Sequence, residues 1–157
     1  MFRIVAAASA LSLSTLACAE PPPVAATGPV LLIAAGIGVT PYLAQLAAGA
    51  ARNRDVVLLY LAKSTAELAY ADALEQSGAR VIARLSDGSA PPSFMEDAGK
   101  VSRPPEPLDG AALKELVPDI ASREVFVSGS PASVRSLRSA ARSAGARRIR
   151  TDSFAGY

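Results

Sequence analysis

Apolar runs and helically spaced apolar positions alternate along most of the chain, from residue 29 to residue 150. The continuous runs predict buried strands at residues 30–34, 55–61, 79–85, 124–128 and 146–150. The helical spacings predict helices at residues 42–51, 65–76, 109–117 and 131–144, with Thr65 capping the second helix and Gly78 ending it. The alternation predicts an α/β fold, an open five-stranded parallel sheet with helices on both faces, which binds ligands beyond the carboxyl ends of its strands.

Residues 86–108 interrupt this alternation, because they are rich in Pro, Gly and Ser and show neither a helical nor a strand period. A connection of more than twenty residues without a pattern is long for a compact domain. The segment is therefore either a mobile functional loop or a variable insertion, and we favour the insertion.

The first 27 residues differ in composition from residues 28–157, which we take as the folded domain. An uncharged Ala/Ser/Leu-rich run follows Arg3 and ends at Ala17-Cys18-Ala19, which is typical of a secretory signal or of a lipid-modified one. The alternatives are a disordered leader, a mis-chosen start or a remnant of an upstream domain. We expect the protein in the cytoplasm or at the cytoplasmic face of a membrane, or else exported through residues 1–19.

Half of the 157 residues are apolar and the net charge is +2, so we expect a packed core and no nucleic-acid partner. With no histidine and one cysteine, the sequence excludes a Cys/His zinc site, a histidine-based triad and an intrachain disulfide. Seven arginines lie in residues 123–157, and Arg135, Arg138 and Arg142 share one face of the last predicted helix. That face is either simply solvated or a docking surface for an acidic partner or an anionic membrane.

A glycine-rich turn follows the first predicted strand, at residues 36–41 (GIGVTP), which we call the first corner. Gly36 and Gly38 let a ligand approach the backbone, and Pro41 opens a helix whose free amides and positive dipole end suit a pyrophosphate. The third glycine of the usual dinucleotide fingerprint is absent, and a plain strand-to-helix turn uses the same residues.

A similar turn follows the fourth predicted strand, at residues 127–131 (VSGSP), which we call the second corner. It again joins a strand, small residues and a helix-opening proline. Two such corners on neighbouring strands would border one crevice, which favours a nucleotide site over two unrelated tight turns.

The order of these motifs resembles the nucleotide-binding half of ferredoxin-NADP-reductase-type flavoproteins, a Rossmann-like domain. The resemblance rests on VLLIAAGIGVTPYLAQL, VVLLYLAKSTAELAYADALE, RVIARLSD, EVFVSGSPASVRSLRSAARSAG and the terminal TDSFAGY, and it covers residues 29–157. It implies that the domain binds a nicotinamide nucleotide and presents it for hydride transfer to a flavin.

The resemblance also implies which residues hold the nucleotide. The first corner is expected under the phosphates and near the nicotinamide, and Lys63 stands where the family has an arginine. Ser86 and Asp87 fall where the adenosine ribose is bound. An acidic side chain there repels a 2′-phosphate, so NADH is favoured over NADPH, although Lys63, Arg80 and Arg84 could offset one carboxylate. The cofactor-binding residues implied are Gly36, Ile37, Gly38, Thr40, Pro41, Lys63, Ser86, Asp87, Gly129, Ser130 and Pro131.

The chain departs from the family at the second corner, where Ser128 replaces the cysteine expected beside the reacting nicotinamide carbon. Serine keeps the small size and a polar tip, so hydride transfer would be slower and not abolished. Phe154, and less so Tyr157, resembles the terminal aromatic residue that covers the flavin in such enzymes; alternatively either ring plugs the sheet edge. Ser128 and Phe154 are therefore the catalytic candidates.

The family binds FAD or FMN in a preceding antiparallel barrel, and no such sequence precedes residue 28. We therefore expect that this chain alone is not an active enzyme, and that the flavin barrel lies upstream in a longer protein or on a separate chain. Electrons would pass from the flavin to an acceptor protein or a membrane redox domain. The alternative is a non-catalytic or degenerate nucleotide-binding adaptor domain, possibly exported.

Overall fold

The computed structural model describes residues 28–102 and 106–154. The predicted leader, including Cys18, and Tyr157 lie outside these ranges. Six parallel strands form one sheet: β1 Val30–Ala35, β2 Val56–Ala62, β3 Arg80–Leu85, β4 Glu96–Asp97, β5 Glu124–Gly129 and β6 Arg148–Ser153. The helices are α1 Thr40–Ala47, α2 Ala71–Glu75, α3 Gly110–Leu116 and α4 Pro131–Ser143, with 3-10 helices at Gly36–Val39, Thr65–Glu67, Ala98–Lys100 and Ile120–Ser122. None of these helices combines the length and apolar character that crossing a bilayer requires.

The two central strands, β1 and β2, are apolar at every position because helices cover both faces of the sheet. Leu31 and Ile33 of β1 pack with residues of α3 and α4 in one core. The alternate residues Val30 and Leu32 pack with residues of α1 and α2 in the other. The structure thus confirms the predicted α/β class with helices on both faces.

The strand order β4-β3-β2-β1-β5-β6 places β1 in the middle of the sheet, between β2 and β5. The chain leaves β1 towards β2 on one side and returns to β5 on the other. In register, Ala34 of β1 lies beside Ser128 of β5. The two corners therefore follow adjacent strands at the carboxyl edge, where open α/β sheets bind ligands.

The prediction of five strands was short by one. Glu96 and Asp97 pair with Ile82 and Ala83 as a two-residue edge strand within the segment predicted to lack structure. A strand this short carries no periodic signal, so its position depends on tertiary contacts. Arg80 provides one of them, since its Nε and the Glu96 Oε1 lie 2.6 Å apart.

The prediction of a continuous helix over residues 65–76 was wrong. A 3-10 turn and α2 replace it, separated by residues 68–70, and the last of these, Tyr70, has a left-handed φ of 61°. Thr65 does not act as a helix cap; instead its Oγ1 donates to the Ala90 carbonyl at 3.2 Å. This bond ties the connection after β2 to the segment after β3, an interaction that the local sequence does not encode.

One buried arginine ties the amino edge of the sheet together. Arg123 is 6% exposed and donates from Nη1 to the Val30 carbonyl at 3.1 Å. Its Nη2 lies 2.6 Å from Asp55 Oδ2, and its Nε donates to Asp119 Oδ1 at 2.9 Å. We call these three side chains the Arg123 cluster; it joins β1, the start of β2 and the turn before β5.

The Arg123 cluster makes stability depend on pH. The hydrogen bond from Arg123 holds the pKa of the Asp119 carboxyl below its ordinary range. A carboxyl whose pKa is lower in the folded state stabilises fully above its unfolded-state pKa, and the contribution is lost as the pH falls through the folded value. The stability difference between the wild type and Asp119→Asn, measured by urea unfolding, should therefore be constant at neutral pH and shrink below about pH 4. A difference unchanged down to about pH 2 would contradict this role, and the exposed Asp72→Asn serves as control.

Candidate functional site at the carboxyl edge

The two corners touch each other backbone to backbone. A Cβ on Gly38 would lie 2.7 Å from the Gly129 nitrogen and closer still to the Ser128 carbonyl, so this position admits no side chain. Gly36 has a left-handed φ of 56°, with open space where its Cβ would be. The first corner thus uses one glycine for its turn and the other for its contact with β5.

Each corner leads directly into a helix. Ser130 caps α4, since its Oγ accepts a hydrogen bond from the Ser133 amide at 3.2 Å, and Pro131 occupies the first turn. In the first corner, the Thr40 hydroxyl donates to the Ile37 carbonyl at 2.9 Å, and Pro41 lies in the first turn of α1. Both helices therefore begin at the same edge of the sheet, as the sequence predicts.

A cleft of about 610 Å³ runs along this edge, which is the size range of small-molecule and cofactor sites. It brings together five of the residues predicted to bind the nucleotide: Gly36, Ile37, Lys63, Ser86 and Ser130. They come from the ends of β1, β2, β3 and β5. The cleft also reaches Ser133 and Ser136 on α4.

The remaining predicted cofactor residues lie around the cleft without lining it. Asp87 is exposed, and its Oδ1 accepts hydrogen bonds from the Ser89 amide at 2.9 Å and the Ser89 hydroxyl at 2.7 Å. These bonds, and more weakly the charge of Lys63, lower the pKa of Asp87. The amide of Asp87 donates to the Lys63 carbonyl at 2.9 Å, which holds the ends of β2 and β3 together.

One catalytic candidate, Ser128, belongs to the second corner, and the other, Phe154, lies beside it. Ser128 is fully buried, and its hydroxyl makes no hydrogen bond with any residue that the structure describes. Phe154 follows β6, its amide donates to the Gly129 carbonyl at 3.1 Å, and its side chain is 41% exposed. Gly129, with a φ of 154°, packs its backbone against Ala35.

Of the two arginines expected to offset Asp87, only Arg84 lies at the cleft. It is buried on β3 and donates from Nε to the Ser102 carbonyl at 3.1 Å, and from Nη2 to the Glu106 carbonyl. Burial lowers the pKa of this guanidinium. Arg80, at the opposite end of β3, pairs with Glu96, so the expectation that it offsets Asp87 was wrong.

Sequence reasoning missed Tyr42, which is 5% exposed in the first turn of α1. Burial, and next the charge of Asp152, raises the pKa of its phenol. The sequence signal that could have found it is a tyrosine that directly follows Thr40-Pro41 and occupies an apolar position of the predicted helix. Within the described ranges, no three His, Cys, Asp or Glu side chains come together as a metal site would require.

No family model matches the sequence, and no curated protein sequence matches it. Among solved structures, the chain is similar to a flavohemoglobin from Malassezia yamatoensis, a crystal structure with bound FAD and heme. The two are 26% identical with a TM-score of 0.56, and the match covers 81% of this chain. The chain spans only 32% of the flavohemoglobin.

This similarity supports a Rossmann-like domain of the ferredoxin-reductase type as the fold of the described residues. It also supports, at the level of general class, a module of a flavin-dependent oxidoreductase. Because two thirds of the flavohemoglobin have no counterpart here, its whole activity does not transfer to this chain.

The contact between the corners yields a test of the site's architecture. Gly38→Ala should cost about 3 kcal/mol of unfolding free energy, because its Cβ meets rigid backbone. Gly36→Ala should cost about 1 kcal/mol from its left-handed φ alone. Gly28→Ala, with open space and no positive φ, is the control and should change little. If Gly38→Ala proves as mild as the control in urea unfolding, the corners do not touch.

Proposed function

We propose that this domain binds a nicotinamide dinucleotide, NADH in preference to NADPH, and presents it to a flavin held by another domain. The observation that carries the proposal is the meeting of two helix-opening corners at adjacent strand ends, above a cleft of cofactor size. The similarity to an FAD-containing flavohemoglobin supports the flavin part.

The first corner and Ser130 would hold the pyrophosphate. The amides at the starts of α1 and α4 and the dipoles of these helices attract negative charge to the same edge. Gly36 leaves room for the phosphates, since nothing lies within 4 Å of its missing Cβ. Lys63, exposed at the end of β2, adds a positive charge.

Ser86 and Asp87 would bind the adenosine ribose. The Asp87 carboxylate is exposed beside the cleft-lining Ser86, and its hydrogen bonds favour the charged form. A carboxylate there accepts a bond from a ribose hydroxyl and repels a 2′-phosphate. The nearby Lys63 weakens the repulsion, so the preference for NADH should be modest.

The nicotinamide end would lie at the second corner, where Ser128 and Phe154 flank Gly129. When bound, the nucleotide supplies a hydride and the flavin, FAD or FMN, accepts it. The chain itself contributes orientation and a water-poor environment. Ile37 is 62% exposed and Phe154 is 41% exposed at this edge, which suits burial under a flavin-binding barrel from upstream or from a separate chain.

Binding should be measured by titrating the domain calorimetrically with NADH, NADPH and ADP-ribose. We expect dissociation constants below about 1 mM, with NADH favoured over NADPH up to about tenfold. Asp87→Asn should reduce the ratio of the NADPH dissociation constant to the NADH dissociation constant. Asp72→Asn, at an exposed position on α2, should leave that ratio unchanged. Absence of binding for all three ligands at millimolar concentration would refute the proposal.

A non-catalytic adaptor is the second candidate, favoured by the complete burial of Ser128. The two candidates differ when a flavin-binding barrel is fused or co-expressed. The oxidoreductase should then pass electrons from NADH to a dye acceptor, and Ser128→Cys should retain or raise that rate. An adaptor should bind the nucleotide but leave the flavin oxidised, both in the wild type and in the Ser128→Cys variant.

A further inference from the structure

Arg84 uses its guanidinium differently from Arg80 and Arg123. Those two arginines pair with carboxylates, whereas the hydrogen-bond acceptors of Arg84 in the described ranges are two backbone carbonyls and one hydroxyl. Arg84 is also only 9% exposed, near the end of β3. A buried cation whose partners are all neutral costs stability. Its place at the cleft therefore calls for a role other than pairing charges.

The acceptors of Arg84 belong to the segment that leads from the sheet edge to α3. Its Nε donates to the Ser102 carbonyl at 3.1 Å, and its Nη2 donates to the Ser102 hydroxyl at 3.4 Å. The same Nη2 donates to the Glu106 carbonyl. A planar guanidinium holds several acceptors in one fixed geometry, which a lysine ammonium does not. Arg84 thus fixes the path of the chain at Ser102 and again at Glu106.

The residues that directly follow Glu106 form part of the cleft. Pro107 and Leu108 line it together with Ser86. Leu108 is buried in the core that contains residues of α3 and α4, whereas Pro107 is exposed. We call residues 106–108 the cleft wall. It is attached to the core by Leu108 and to the sheet by Arg84, and it keeps one apolar ring exposed at the cleft.

The cleft wall lies at the end of the cleft that we assign to adenosine. Ser86, which we assign to the adenosine ribose, follows Arg84 by two residues and lines the same cleft as Pro107. A base attached to that ribose would therefore reach the wall. An apolar ring such as that of Pro107 suits the flat face of a nucleobase.

We propose that Arg84 is a positioning residue that fixes the cleft wall, through the carbonyls of Ser102 and Glu106, as the surface on which the adenine of the dinucleotide packs. In this role Arg84 contributes geometry and not charge, so it does not distinguish NADPH from NADH. The ligand part of this inference rests on the proposed function, whereas the anchoring of the wall does not.

The first experiment tests the anchoring without any ligand. Hydrogen exchange, followed by mass spectrometry, compares the wild type with Arg84→Met, which keeps a long side chain and removes its donors. We expect the peptide of residues 99–110 to exchange at least about fivefold faster, as the loss of one hydrogen bond predicts. Arg80→Met, on the same strand, is the matched control and should act on the peptide around Glu96 instead. Unchanged exchange of residues 99–110 in Arg84→Met would overturn the anchoring.

The second experiment tests whether the wall acts on the adenosine part of the ligand. Pro107→Ser and Arg84→Met should each weaken the calorimetric binding of ADP-ribose about fivefold. The double variant should bind no more weakly than Arg84→Met, because the ring cannot act once its anchor is lost. Pro91→Ser, in the cavity beside β4, is the control and should change nothing.

Two results of this binding experiment would refute the positioning role. One is additivity of the two losses in the double variant, since a purely structural arginine would not be coupled to Pro107. The other is an unchanged ADP-ribose affinity in Pro107→Ser, which decides the matter even if Arg84→Met does not fold.

A third comparison separates geometry from charge. Arg84→Lys keeps the positive charge but cannot hold both carbonyls, so we expect it to bind ADP-ribose nearly as weakly as Arg84→Met. Arg84→Met should leave the ratio of the NADPH and NADH dissociation constants unchanged. Full binding by Arg84→Lys, or a loss confined to NADPH, would show that the charge acts and would overturn the proposal. If the wild type binds none of these ligands, the proposed function fails, and hydrogen exchange still decides whether Arg84 anchors the wall.

Discussion

The backbone contact between Gly38 and the end of β5 holds the carboxyl edge together. At this point the chain passes so close to the Ser128 carbonyl and the Gly129 nitrogen that even one methyl group would not fit. The contact holds the starts of α1 and α4, which pack on opposite faces of the sheet, at the same carboxyl edge. A side chain at Gly38 would push the corners apart, and the positive ends of the two helices would no longer act on one ligand.

The rest of the fold supports this contact from both sides. The central strands are buried on both faces, so a one-residue slip between β1 and β5 would move each β1 side chain from one packed core into the other and disrupt the packing of both. The Arg123 cluster joins the amino ends of the same strands. At the opposite edge, which carries the site, Arg84 holds the segment after β3 against the cleft.

The buried serine at the end of β5 lies where the core and the candidate site meet. Ser128 is fully buried, and its hydroxyl makes no hydrogen bond with the described residues. A buried hydroxyl without a partner costs stability, so the fold tolerates an unfavourable polar group directly beside the contact between the corners.

The α/β class, the position of the central strands and the two helix-opening corners followed from the sequence, because burial on both faces imposes continuous apolar runs and because Gly and Pro have strict backbone requirements. The break at Tyr70, the two-residue strand β4 and the anchoring of residues 86–102 by Arg80, Arg84 and Thr65 depended on tertiary contacts. The same holds for the site. Local sequence marked Gly36 and Ser130 as parts of two turns, and the resemblance placed Ser86 at the ribose, but the strand order 4-3-2-1-5-6 is what brings them to one cleft. Local preferences act over a few residues, whereas the neighbours of a parallel strand and the burial of Ser128 are decided by distant parts of the chain.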